Sequence, residues 1–236
     1  MRPVTILLRG QHYLGPSSPH GRSSYQRNFF DIIDQYLLNV PRAFELQGRP
    51  FRTKIITYDS PWAHRLKEIA QDKDICLIQE ALLGTVGHRQ FEVVSEGLCG
   101  IPPDDGSVVL VLRFDLVYKK PITDWFDFDK DFDLCVPFRE VGWEQWFEHW
   151  VPWKAKYSSK RIGDCFHIIN NQRGNLRKFI RAISHDPRCA HEKHEDFSGR
   201  GLRVEFCVQG FFNSDTACEG RAANNPLYVL QRPCRA

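Results

Sequence analysis

Val108 to Leu112 are five apolar residues in a row, and the next triplet is Arg113-Phe114-Asp115, with both charges on one side of the chain. A run this short, entered through the turn-forming Asp104-Asp105-Gly106, reads as a buried strand and not as a helix. Opposite charges where a strand leaves its apolar run have two uses. They tie down the strand's own end, or they present charge to a ligand.

The segments before this strand restrict the fold to a narrow class. Val4–Leu8 is another short apolar run, ending at Arg9-Gly10, and a polar loop rich in glycine, proline and serine follows it. Phe29, Ile33 and Leu37 then recur at helical spacing until Pro41. "TKIITYD" starts a second unit, in which Ser60-Pro61 supplies an N-cap and a first-turn proline for a helix through Ala70. "DICLIQE" is a third strand, His88–Leu98 a helix closed by Gly100 and Pro102-Pro103, and Val108–Leu112 the fourth strand, central in the sheet. Strands that alternate with helices predict an α/β fold, a single domain with a central, mostly parallel sheet flanked by helices and a Rossmann-like N-terminal half.

After Pro121 the pattern becomes mixed and more irregular. "DWFDFDKDFDLCVPF" alternates aspartate with aromatics and runs into Leu134-Cys135-Val136, expected to be antiparallel. "RIGDCFHIIN" and "LRVEFCVQGFF" read as strands, "GNLRKFIRAISH" as a short helix, and the last twenty-odd residues as loop. We therefore expect one domain over 1–236, with a nucleotide-binding half at 1–120 and an acceptor-side half at 121–236.

Composition excludes several classes. Of the 236 residues 42% are hydrophobic and 13% aromatic, enough for a large core, and no apolar run approaches the ~18 residues of a membrane span. The run after Met1-Arg2 is too short for a signal peptide, so a cytoplasmic location with no transmembrane segment is expected. A net charge of +3 spread along the chain implies no nucleic acid but suits a positive pocket for an anion. Cys76, Cys99, Cys135 and Cys165 sit in or beside apolar segments, as reduced core cysteines do, while Cys189, Cys207, Cys218 and Cys234 crowd the C-terminal part, where a bridge stays open.

Open α/β sheets bind ligands beyond the C-terminal ends of their strands. Arg9-Gly10-Gln11, Asp59 and Arg113-Phe114-Asp115 would converge there. Gly10 lets a ligand approach the backbone, arginine holds a phosphate bidentately, and a carboxylate takes a ribose hydroxyl or a metal. The set suits a nucleotide diphosphate. The structural alternatives are an ion pair for Arg113 with Asp115 and helix capping for Asp59.

"FDFDKDFD" opens like an EF-hand loop, but Phe132 stands where glycine is needed and Phe138 where the bidentate acid is needed, so a calcium loop is rejected in favour of a solvated turn with inward aromatics. His185, Cys189, His191 and His194 are competent zinc ligands without a closed four-ligand spacing. Asp164 is a candidate general base, and either it or His167 can face the site, because the two point to opposite faces of an extended segment. Trp143, Trp146, Trp150 and Trp153 follow helical spacing, as a core face or as a stacking platform for a sugar.

Together, "TILLRGQHY", "VVLVLRFDLVYKKPI", "RIGDCFHIIN" and "FFNSDT" with "NNPLYVLQR" resemble a group of glycosyltransferases related to GT-A enzymes, in which Arg-x-Asp takes the place of the metal-binding Asp-x-Asp. The resemblance implies a GT-A-like fold, a nucleotide-sugar donor and a carbohydrate or other hydroxyl acceptor. It puts Arg9 and Gln11 near the nucleotide, Arg113 and Asp115 at the diphosphate, and Asp164 on the acceptor side. It also implies Mn or Mg at Asp115, or metal independence if the Arg113 guanidinium neutralises the leaving diphosphate. The leading expectation is a nucleotide-sugar glycosyltransferase. The alternatives are a non-catalytic carbohydrate- or protein-binding module on the same fold and, third, a metal-dependent hydrolase.

Overall fold

The computed structural model describes residues 1–10, 13–14, 27–28, 33–58, 60–72, 76–80, 90–140, 162–163, 165–184, 194–209, 211–212 and 225–230. In chain order the elements are β1 (Val4–Arg9), β2 (Tyr13–Leu14), β3 (Arg27–Asn28), α1 (Ile33–Asn39), α2 (Pro41–Leu46), β4 (Phe51–Tyr58), α3 (Ala63–Asp72), β5 (Cys76–Glu80) and α4 (Gln90–Cys99). There follow β6 (Val108–Arg113), β7 (Leu116–Tyr118), a 3-10 turn at Ile122–Asp124, β8 (Leu134–Val136), β9 (Arg139–Glu140), β10 (Phe166–Asn170), α5 (Asn175–Ile183), α6 (His194–Ser198), β11 (Val204–Phe206), β12 (Phe211–Phe212) and β13 (Tyr228–Leu230).

Seven strands form the main sheet in the order β5-β4-β1-β6-β10-β8-β11. The first four are mutually parallel, β10 runs antiparallel to both β6 and β8, and β11 is parallel to β8. The predicted α/β sheet is therefore present, with β6 fourth and central. Leu134–Val136 pairs antiparallel with β10, as expected, and because β10 is also antiparallel to β6 it is β10 that runs against the rest of the sheet.

The apolar runs are buried on both faces, which is why they lack the alternation of a one-sided strand. Every residue of β1 and of β6 is buried. Ile6, Leu8, Leu110 and Leu112 pack with Tyr36, Phe44 and Leu66, from α1, α2 and α3, on one face. Leu7, Val109 and Val111 pack with Val94, Leu98 and Phe179, from α4 and α5, on the other. Gly97 explains how α4 lies so close: a Cβ there would sit 2.8 Å from both Leu7 methyls.

The aspartate-rich stretch lies at the edge formed by the N-terminal ends of β1 and β4. Phe126, Phe128 and Phe132 point inward and are buried. Asp129 accepts from Arg49 Nη1 and Nη2 at 3.0 and 2.7 Å and from the Arg2 backbone N–H at 3.1 Å. Asp131 pairs with Arg173 and Arg203, and Asp133 accepts from Asn175 Nδ2 and the Arg203 N–H. The turn therefore laces distant segments together. Beside it, Asn171 Nδ2 donates to Pro102 O and to Asp105 Oδ1, which also accepts from the Ser107 hydroxyl and N–H.

Both acids titrate below the usual carboxylate range. Arg49 and the Arg2 N–H hold Asp129 down, while at Asp105 burial acts upward but is outweighed by Ser107, Asn171 and Arg52. A depressed carboxylate contributes stability that is fully present above its unfolded pKa of about 4 and is lost as pH falls through the folded value. Urea unfolding should therefore show a midpoint that falls steadily below about pH 4. Asp129→Asn should have a lower midpoint at neutral pH and a shallower fall. Identical acid profiles for the two proteins would refute the assignment.

The tail corrects the sequence expectation. Tyr228–Leu230 is not loop but a strand, β13, antiparallel to β7. Leu227 N–H and Tyr228 N–H both donate to Asn225 Oδ1, and Lys119 N–H donates to Leu227 O, which seats the segment on the body.

Candidate functional site

After β1 the chain turns toward β4, and after β6 it turns toward β8 on the other side. The point where successive connections diverge in an open sheet leaves a crevice beyond the strand ends. Here that point lies between β1 and β6. Their register pairs Val4 with Val108 and continues without a slip to Arg9 and Arg113. Two arginines thus end adjacent parallel strands side by side. In-register partners share a face, so both project with Leu7 and Val111 toward the α4 and α5 side.

Arg9 is 2% exposed, Arg113 8% and Asp115 9%. Arg113 Nε donates to Asp115 Oδ1 at 2.7 Å and Nη2 to Oδ2 at 2.5 Å, a fork-to-fork pair closed across a single residue. The intervening Phe114 makes this geometry possible. Its N–H donates to Arg9 O at 3.2 Å, which extends the β1–β6 pairing, and its ring turns into the opposite core. A buried charge requires such a partner, and a planar guanidinium meets a carboxylate best in this arrangement.

Gly10 carries the chain out of β1 at φ 104°, a conformation that favours glycine, and among the described residues nothing lies within 4 Å of where its Cβ would stand. Thr57 fixes this exit. Its buried hydroxyl donates to Gly10 O at 2.6 Å, while Gly10 N–H donates to Ile56 O. Sequence reading passed over Thr57. It looks like an ordinary strand threonine, and only the neighbouring β1 reveals its role.

The first-loop arginine and glycine and the Arg113/Asp115 pair come to one edge. The N-terminal end of β10 reaches it as well, because Phe166 pairs with Leu112. Gln11, Asp59, Asp164, Trp143, Trp146 and the His/Cys loop at 185–193 lie outside the described residues. His167 is 1% exposed, pairs with Val111 and sets its ring 4.9 Å from Phe179 and 6.2 Å from Phe197. It occupies the core beneath α5 and α6.

A cleft of about 680 Å³ lies elsewhere, lined by Gln47, Arg49, Thr123, Trp125, Asp127 and Asp129 among others. It sits at the opposite edge of the sheet, against the N-terminal ends of the strands. Sheet topology is the stronger guide in this fold, so the arginine-bearing edge is the candidate site. Among the described residues no cluster of three histidine, cysteine or acidic side chains has the geometry to hold a metal ion.

No protein-family model matches the chain. No curated protein matches it either. Solved structures do. It is similar to a protein of Desulfovibrio desulfuricans G20 assigned as a nucleotide-diphospho-sugar transferase, with a TM-score of 0.52 and 10% identity over 92% of this chain and 84% of that one. It is also similar to the glycosyltransferase GlyE of Streptococcus pneumoniae TIGR4, with a TM-score of 0.41 and 15% identity over 87% of this chain. The chain spans 44% of GlyE. A third is the galactosyltransferase LgtC, solved with donor and acceptor sugar analogues, with a TM-score of 0.43 and 14% identity over 86% of this chain and 72% of that one. At such identities the likeness concerns the fold, and the Desulfovibrio protein carries it. The chain has the single-domain, GT-A-like α/β fold of that Desulfovibrio protein.

Proposed function

We propose that the chain is a nucleotide-sugar-dependent glycosyltransferase, with the donor diphosphate bound at the ends of β1 and β6. The observation that carries this reading is the register of Arg9 with Arg113 at the divergence of the sheet. Strand pairing fixes the backbones of the two arginines and Asp115 fixes the Arg113 guanidinium, and a positive group held in place beforehand costs no reorganisation when charge develops on a leaving group. In the proposed step the donor's bond from the anomeric carbon to the diphosphate oxygen breaks and the acceptor oxygen bonds to that carbon. The acceptor's proton passes to a base, for which Asp164 is our candidate. Arg113 stabilises the departing diphosphate, Gly10 lets it approach the backbone, and Gln11 and Asp59 complete the donor side.

A divalent cation at Asp115 does not fit this arrangement. Both carboxylate oxygens accept from Arg113, so a cation there would share each oxygen with a guanidinium and sit against its like charge. We therefore assign no step to a metal at Asp115. Arg113 supplies the positive charge there.

The test is thermal-shift screening against UDP-, GDP- and dTDP-sugars, each with and without Mn²⁺. One nucleotide class should raise Tm, and Mn²⁺ should add little to that rise. No shift from any nucleotide at millimolar concentration would overturn the reading. The closed Arg113–Asp115 pair also favours a second reading, in which it only fastens the end of β6 in a non-catalytic carbohydrate- or protein-binding module. Transfer assays on Arg113 variants separate the two.

A further inference from the structure

Cys135 and Cys207 stand 72 positions apart in the chain, yet their Sγ atoms are 3.2 Å apart. Both are free thiols; Cys135 is buried in β8 and Cys207, just beyond β11, is half-buried. Strand pairing causes the proximity. Glu205 is the register partner of Cys135, and Cys207 N–H donates to Val136 O at 2.9 Å, so Cys207 sits diagonally from Cys135 on the same face. We propose that this pair is an oxidative modification site, at which a disulfide between Cys135 and Cys207 locks the edge strand β11 to β8.

The chemistry follows from the two environments. Cys135 is held as the protonated thiol by burial and then by its contact with Cys207, which makes it a poor first nucleophile. Cys207, the more accessible, attacks a small disulfide of the glutathione type as its thiolate, forming a mixed disulfide and releasing one thiolate. Cys135 then loses its proton and displaces the second thiolate, so two protein thiols become one disulfide while the oxidant is reduced to two thiols. A sulfur separation of 3.2 Å must close to about 2.05 Å, a movement that side-chain rotation and a small strand shift supply.

The consequence is local and directional. β11 has three residues, all half-buried, and it is the edge of the seven-stranded sheet. A cross-link there closes a covalent loop that takes in β9, β10, α5 and α6, so it restrains the unfolded chain strongly. The sequence favours reduced thiols and leaves a bridge open only within Cys189, Cys207, Cys218 and Cys234, whereas the cysteine that meets Cys207 among the described residues is a strand cysteine far upstream.

The test uses the full chain under native conditions, incubated with oxidised glutathione, alkylated and digested for mass spectrometry. The expected result is a Cys135–Cys207 linked peptide two hydrogens lighter than the reduced pair, with Tm raised by about 10 °C and restored by dithiothreitol. Cys207→Ser should abolish both changes while folding normally, and Cys135→Ser should leave a persistent mixed disulfide at Cys207. Three results would overturn the proposal: Cys207 linked to another cysteine, a mixed disulfide at Cys207 that persists in the wild type, or both thiols still fully alkylatable after oxidation. If Cys135→Ser does not fold, the Cys207→Ser comparison decides alone.

Discussion

Arg113→Ala should lower the free energy of unfolding by about 3–5 kcal/mol and abolish sugar transfer and nucleotide-induced stabilisation together. The stability loss follows because removing one partner of a buried ion pair strands the other charge in a place where water solvates it poorly. Asp115 is 9% exposed and both of its oxygens accept from the missing guanidinium. The double variant Arg113→Ala/Asp115→Ala removes the stranded charge as well, so it should recover most of the stability without recovering donor binding. Arg113→Lys keeps one positive charge but loses the planar fork, and should bind nucleotide more weakly than wild type at nearly normal Tm. Chemical denaturation and nucleotide thermal shifts on the three variants separate the roles. A folded double variant that still binds donor at wild-type strength would reduce the pair to a strand fastener.

Tyr228→Ala should be nearly as damaging to stability, about 3–5 kcal/mol, although it lies far along the chain from the first strands. Its ring is fully buried, stacked on Phe138 with centroids 5.9 Å apart and edge-on to Phe166 at 6.0 Å. Truncating a buried aromatic loses its transfer energy and leaves a cavity the surroundings only partly fill. Leu38→Ala, at a residue 60% exposed, is the control and should change stability by about 0.5 kcal/mol or less. Equal denaturation midpoints for the two variants would mean that β13 is a surface attachment and not part of the core. Because Phe166 begins the strand that reaches the candidate site, the same variant should also weaken nucleotide stabilisation.

Much of the fold was legible in the chain, and the reason is local. Val4–Leu8 and Val108–Leu112 announce strands buried on both faces, since a strand with one wet face would alternate. Ser60 before Pro61 predicts a cap, and its Oγ does accept from Trp62 N–H at 3.1 Å. Aspartates alternating with aromatics predict a turn with its rings inward, and that is how Phe126, Phe128 and Phe132 sit. The failures share a cause as well. β13 was missed because three residues among turn-formers carry no period, and what makes them a strand is pairing with β7, more than a hundred positions upstream. The role of β10 as the reversed strand and the burial of His167 depend likewise on which neighbours the sheet supplies.

The candidate site divides along the same line. That Arg9 and Arg113 each close an apolar strand is legible along the chain, because the end of an apolar run is where a charge first becomes tolerable. So is the place of Asp115, two positions beyond Arg113. It takes the folded chain to lay β6 against β1 in a register that sets the two arginines side by side, to close Asp115 on Arg113 with both oxygens, and to bring Cys207 to Cys135. Periodicity along the chain reports which face of an element is buried. Which strands become neighbours, and at what register, is settled by packing between segments distant in sequence, and that neighbourhood turns isolated charges into a site.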